Sequence, residues 1–111
     1  MSHGILYYDM DGNPVSEAEG LKLFNNKLRR VAATDTRTGY YISTVHLVID
    51  HGFGNGPPLI FETMVFRRKA GGGMGSSSEL DCERYHTKAE ALAGHAAMVR
   101  KWSRRNPVRD E

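Results

Sequence analysis

Two apolar runs and the bend between them constrain this chain more than any other feature. Residues 42–51 and 57–66 are rich in β-branched and aromatic side chains, and a Gly/Asn/Pro cluster at 52–58 separates them. The runs suit pleated, half-buried surfaces and the cluster supplies turn geometry, which predicts two neighbouring antiparallel strands. Alternation puts Val45, Leu47 and Ile49 on one face, the expected core, and Thr44, His46, Val48 and Asp50 on the other. In the second run both alternating sets are mostly apolar, with Glu62 in the middle of one. Such a strand is central in its sheet or lies in an oligomer interface.

The flanking segments predict elements that pack on this pair. Residues 5–8 read as a short strand ending in a tight turn over 9–14, where Asp, Gly, Asn and Pro supply the geometry. Ser16 and Glu19 have capping-box spacing, and Leu21, Phe24 and Leu28 fall at i, i+3 and i+7, predicting an amphipathic helix of about three turns. Lys27, Arg29 and Arg30 then stand near its end. Residues 31–36 and Tyr40-Tyr41 form a hairpin across 36–39, with Gly39 at the position that calls for positive φ. A Gly/Ser-rich connection over 70–78 leads to a further strand, Glu79 to Tyr85, with Leu80 and Cys82 pointing inward. Thr87 and Glu90 make a second capping box, opening a helix whose predicted stripe is Ala89, Leu92, Ala96, Val99 and Trp102. The predicted fold is therefore one α+β domain over 1–103. Its four- to five-stranded, mainly antiparallel sheet is packed by the C-terminal helix, with a short N-terminal helix at an end or edge and a flexible basic tail at 104–111.

At 111 residues the chain suffices for one self-supporting core. Cys82 is its sole cysteine, which excludes an intramolecular disulfide and points to a reducing cytosol. No apolar run approaches the roughly 20 residues of a membrane-spanning helix. The net charge of +2 falls short of the dense basic surface of a dedicated nucleic-acid binder.

Several polar groups are hard to explain as surface decoration. The Asp9-Met10-Asp11-Gly12 run after an apolar strand is locally similar to the nucleophile motif of haloacid-dehalogenase phosphatases. The alternating βα units of that fold are missing, and an Asx turn explains the run. His46, Asp50, His51 and Glu62 carry donors of the kind that hold Zn²⁺ or Fe²⁺, and a small metal-dependent enzyme centred on Asp50, His51 and Glu62 is one alternative. The favoured reading is a structural or protein-binding polar network of Asp50, His51 and Glu62, with no cofactor and no catalytic residue. A carboxylate mid-strand must find a cation, hydrogen bonds or a proton. Cys82 reads as a small buried hydrophobe. Arg100, Lys101, Arg104 and Arg105 beside Trp102 suit either a solvated helix end or phosphate contacts, so nucleic-acid binding is a second alternative.

Ser43-Thr44-Val45-x-Leu47-x-x-Asp50-His51, the run 56–66 (GPPLIFETMVF) and Glu83-Arg84-Tyr85-x-Thr87-x-x-Glu90-Ala91-Leu92-Ala93-Gly94-His95 together resemble a group of short uncharacterised proteins of actinobacteria and their bacteriophages. The resemblance implies a phage or prophage origin and action in a bacterial host's cytoplasm or in association with virion parts. It carries no activity. With no complete catalytic constellation and a strand apolar on both faces, the functional expectation is a non-enzymatic accessory protein. It would bind a protein partner, such as a host protein, or associate with itself as a homodimer.

Overall fold

A computed structural model describes residues 6–51, 56–68 and 78–105. The expected bend at 52–55, the Gly/Ser connection over 69–77 and the tail from 106 lie outside the described residues. The chain runs β1 (Tyr7–Tyr8), β2 (Pro14–Val15), α1 (Glu17–Phe24), a 3-10 turn (Lys27–Arg29), β3 (Arg30–Asp35), β4 (Tyr40–His46), β5 (Phe61–Arg67), β6 (Asp81–Tyr85) and α2 (Lys88–Ser103). β3 to β6 form one antiparallel meander in sequence order, and β1 and β2 pair separately as a small hairpin. No helix among the described residues is long and apolar enough to cross a membrane. The expected α+β architecture is the one observed.

Local signals set most of the boundaries. Asp9 Oδ1 accepts from the amides of Asp11 and Asn13, both at 2.9 Å, so the acidic run is an Asx turn between β1 and β2. Gly39 closes the β3–β4 turn at φ 94°. Thr87 and Glu90 cap α2 reciprocally, each backbone N–H meeting the other's side chain at 3.1 Å. Ser16 caps α1 through its hydroxyl alone, accepting from the Glu19 amide at 3.2 Å.

α2 lies on the sheet face formed by Tyr40, Ile42, Thr44 and His46 of β4 and by Phe61, Thr63 and Val65 of β5, where Ile42 and Val65, Thr44 and Thr63, and His46 and Phe61 are cross-strand partners. Tyr40, Ile42, Val65 and Met98 form one core cluster, and Ile60, Phe61, Tyr85 and Ala91 another. The Tyr85 ring rests where a side chain at Gly94 would stand, so α2 approaches β6 closely only because residue 94 has no Cβ.

Four packing expectations are corrected. β4 ends at His46, and Val48 adopts φ 72°, so the alternation predicted through Ile49 breaks. The fully buried face is Ile42, Thr44 and His46, and Val48 is buried as well. On α2 the packed residues are Ala91, His95 and Met98, with the expected Val99 and Trp102 beside them, whereas Ala89, Leu92 and Ala96 are exposed. On β6 Tyr85 is the buried residue; Leu80 precedes the strand and is exposed, while Cys82 faces away from α2. α1 stops after Phe24, where Asn25 donates through Nδ2 to the Leu21 carbonyl and Asn26 caps the following 3-10 turn. Its packed position is Gly20, set against the Tyr7 ring, and Leu21, Phe24 and Leu28 point to solvent.

Candidate functional site

A buried polar chain crosses the core. His95 of α2 meets Thr44 Oγ1 at 2.7 Å through Nδ1 and Thr34 Oγ1 at 2.9 Å through Nε2, and Thr44 Oγ1 lies 2.5 Å from Thr63 Oγ1. A neutral imidazole offers one N–H and one lone pair, and a threonine hydroxyl serves as either partner, so the chain is satisfied in a single direction of donation. Burial pushes the His95 imidazole below its ordinary pKa, which keeps it neutral. Four elements, β3, β4, β5 and α2, are tied together by these three bonds.

Glu62 occupies the opposite sheet face, 5 % exposed, with Val45 and Arg84 as its cross-strand neighbours. The Arg84 Nε donates to Glu62 Oε2 at 2.8 Å and the Cys82 thiol donates to the same oxygen at 3.4 Å. This bond with Glu62 raises the Arg84 pKa further. Burial, reinforced by the Glu62 charge, pushes the Cys82 thiol up to about 11, so at neutral pH it is held as the protonated thiol. Asp50 instead holds the loop, its Oδ1 accepting from the Leu59 amide at 2.8 Å, and His51 is an exposed residue whose backbone N–H donates to the Leu59 carbonyl. The structure thus gives Glu62 a cationic partner from β6, and Asp50 and His51 a separate place at the strand end. His46 lies on the α2 side, with its ring 5.4 Å from that of Phe61. Among the described residues no three His, Cys, Asp or Glu side chains gather as a metal site.

The basic end of α2 is partly committed to the fold. Lys101 Nζ pairs with Asp81 at 2.6 Å, and Trp102 Nε1 donates to the same carboxylate oxygen at 3.1 Å. Burial works against the Asp81 charge, but these bonds and the Cys82 amide outweigh it and lower its pKa. Arg105 stacks 5.0 Å from the Trp102 ring, and all four cations of the group, Arg100, Lys101, Arg104 and Arg105, are exposed.

At the other end of the sheet, α1 and the 3-10 turn present an apolar stripe to solvent. Leu21 is 48 %, Phe24 38 % and Leu28 76 % exposed. Lys22, Lys27 and Arg30 are exposed on the same segment. Arg29 caps Phe24 from the side, its guanidinium 4.7 Å over the ring. Hydrophobic periodicity found this stripe, but spacing does not distinguish an inward face from an outward one. The Thr34–His95–Thr44–Thr63 chain went unrecognised; polar residues at apolar positions of the strands and the helix were its only signal.

Comparison with protein-family models, with curated proteins and with solved structures gave no match to this chain.

Proposed function

We propose that the protein is a non-enzymatic accessory protein that docks a protein partner through the stripe Leu21, Phe24 and Leu28. The observation carrying this reading is the exposure of three large apolar side chains on consecutive turns of one segment, where an isolated soluble domain gains nothing by exposing them. Lys22, Lys27, Arg29 and Arg30 border the stripe, so the partner surface that fits it is apolar with an acidic rim. The resemblance to phage and actinobacterial proteins extends the proposal to a host protein in the bacterial cytoplasm.

A photo-crosslinking residue at position 24 tests it, with one at position 92, an exposed apolar site on α2, as control. Adducts to a discrete protein from position 24 and not from 92 are expected; no adduct, or equal adducts from both, refutes the assignment. An adduct to a second copy of the chain, with a dimer mass in light scattering, identifies the partner as the protein itself. Nucleic-acid binding by Arg100, Lys101, Arg104 and Arg105 is less favoured, since Lys101 is paired with Asp81 and Arg105 is stacked on Trp102. A salt-sensitive gel shift lost on neutralising Arg100 and Arg104 would revive it.

A further inference from the structure

Independently of docking through α1, we infer that the sheet face turned away from α2 pairs with the same face of a second copy of this chain. The two copies are related by a two-fold axis that crosses the strands at the level of Ala33 and Ser43. β3 to β6 give one face to α2, and α1 packs chiefly against β1, so among the described residues the other face has no helix on it. A face open to water alternates in polar residues, and this one does not. Opposite the buried set it carries Tyr41 and Val45 of β4, Met64 and Phe66 of β5 and Cys82 of β6, all partly exposed. Leu80, 42 % exposed, borders them where its amide bonds the Val65 carbonyl. Glu62 is on the same face, but it is buried and its charge is held by Arg84.

The charges on β3 identify the occupant. Register divides this face into rows: Asp35 beside Tyr41 at one end, Ala33 beside Ser43 in the middle, and Arg30 beside Val45 at the other end. The rows are evenly spaced along β4, because the irregularity between Arg30 and Ala32 takes up the extra residue of β3. Arg30 is exposed, and no carboxylate lies within ion-pair distance of it among the described residues. Lys27 and Arg29 line the same cavity as Arg30, so the local field is positive. At the far end the Asp35 side chain is 61 % exposed, and Arg68 Nε bonds only its Oδ1, at 2.7 Å.

A two-fold axis perpendicular to the strands through the middle row sets β3 against β3 of the second copy and exchanges the end rows. Arg30 then meets the second copy's Asp35, and Asp35 meets its Arg30, so one contact makes two ion pairs. In the same arrangement Tyr41 lies over Val45, and Phe66 lies over the Glu62–Arg84 pair, where an aromatic ring suits a guanidinium. The alternative two-fold, parallel to the strands, sets Arg30 against Arg84, cation on cation. Charge therefore selects the first. Four strands of five to seven residues, about 4.8 Å apart and about 3.3 Å per residue, have a flat footprint of about 400 Å² per copy. With side-chain relief the pair buries on the order of 1,000 Å², the lower end of specific interfaces, which gives a dimer in exchange with monomer.

Sedimentation of the full chain at low ionic strength, from about 1 μM to about 1 mM, tests this, and a concentration-dependent monomer–dimer equilibrium is expected. Arg30→Asp and Asp35→Arg, each alone, set like charges at both contacts and should weaken the dimer about tenfold or more. Mixed in equal amounts, the two variants oppose unlike charges at both contacts and should associate within about threefold of the parent. Both positions are exposed, so the variants should fold, and circular dichroism verifies it. Leu21→Asp, which breaks the α1 stripe, should leave the equilibrium unchanged. A parent that stays monomeric over the whole range overturns the proposal, and so does a mixture that associates no better than the single variants. A dimer that survives both reversals, or one lost in Leu21→Asp, places the contact elsewhere and overturns it as well.

Discussion

Thr44→Val probes the buried polar chain at its branching atom. Thr44 is fully buried, and its Oγ1 contacts both His95 Nδ1 and Thr63 Oγ1. Valine keeps the shape and removes the hydroxyl, leaving one imidazole nitrogen and one threonine hydroxyl short of a partner where water does not reach. Each of the two losses costs about 1–3 kcal/mol, and the added methyl group returns on the order of 0.8 kcal/mol, for a net destabilisation of about 1–5 kcal/mol. Against a total stability of about 5–15 kcal/mol for a small domain, this is a large fraction. Urea unfolding at pH 8, followed by the fluorescence of the sole tryptophan Trp102, measures it as a fall in the midpoint at constant m. Thr63→Val removes the same hydroxyl pair from the other side, so the double variant should lose about 1 kcal/mol less than the two single losses combined. A Thr44→Val variant within about 0.5 kcal/mol of the parent, or strict additivity with Thr63→Val, would refute the network as an energetic unit.

Stability should also fall as pH drops below about 6.5. Burial lowers the pKa of both His46 and His95 in the fold, with Asp9 and the Tyr8 backbone opposing and Arg29 assisting at His46. The unfolded chain therefore takes up protons that the folded chain resists, and urea midpoints measured from pH 8 to 5 should be level above that point and decline below it. A midpoint that rises on acidification over this range contradicts the assignment. Gly94→Ala, normally worth about 1 kcal/mol of added helix stability, should instead destabilise by more than about 2 kcal/mol, because the new Cβ meets the Tyr85 ring; calorimetry reads this directly. Glu62→Gln should cost about 1–3 kcal/mol, and Arg84→Gln about 1–2 kcal/mol more, since Arg84 stays partly solvated while Glu62 would be a buried charge without its cation. Equal costs in denaturant unfolding would mean that the pair is not buried as described.

The parts of the fold legible in the sequence are those fixed over a few residues. The Asp9 turn, the Thr36–Gly39 hairpin and the Thr87–Glu90 cap each rest on side chains that satisfy nearby backbone groups, and the order of strands follows from short connections. Faces were harder to read. Val48 takes a left-handed conformation that a β-branched residue adopts at a cost, and this tertiary choice ends the β4 alternation just where the sequence continues it. On α2 the true stripe contains His95, which an apolar template passes over, and its partners Thr34, Thr44 and Thr63 come from three different strands. Glu62 was recognised as needing a partner. Its partner depends on the β5–β6 register, which places Arg84 directly opposite, whereas Asp50 and His51 lie beyond the end of β4. Leu21 and Phe24 lie on the expected helix, but it ends at Phe24 and Leu28 falls in the 3-10 turn; all three are exposed, and it is Gly20 that lets Tyr7 pack on the adjacent face of α1.

That exposed segment is the basis of the partner-docking proposal, and a paired affinity capture tests it most directly. The immobilised full chain and its Leu21→Asp/Phe24→Asp variant would be compared in bacterial lysate, with circular dichroism verifying that both are folded. Both substitutions lie on exposed positions, so the fold should persist. The account predicts one protein with an apolar, acidic-rimmed surface retained by the parent, reduced at least tenfold by the variant, and unaffected by Arg100→Gln/Arg104→Gln. A parent that remains a monomer and retains nothing, or a partner held equally by the Leu21→Asp/Phe24→Asp chain, would contradict it.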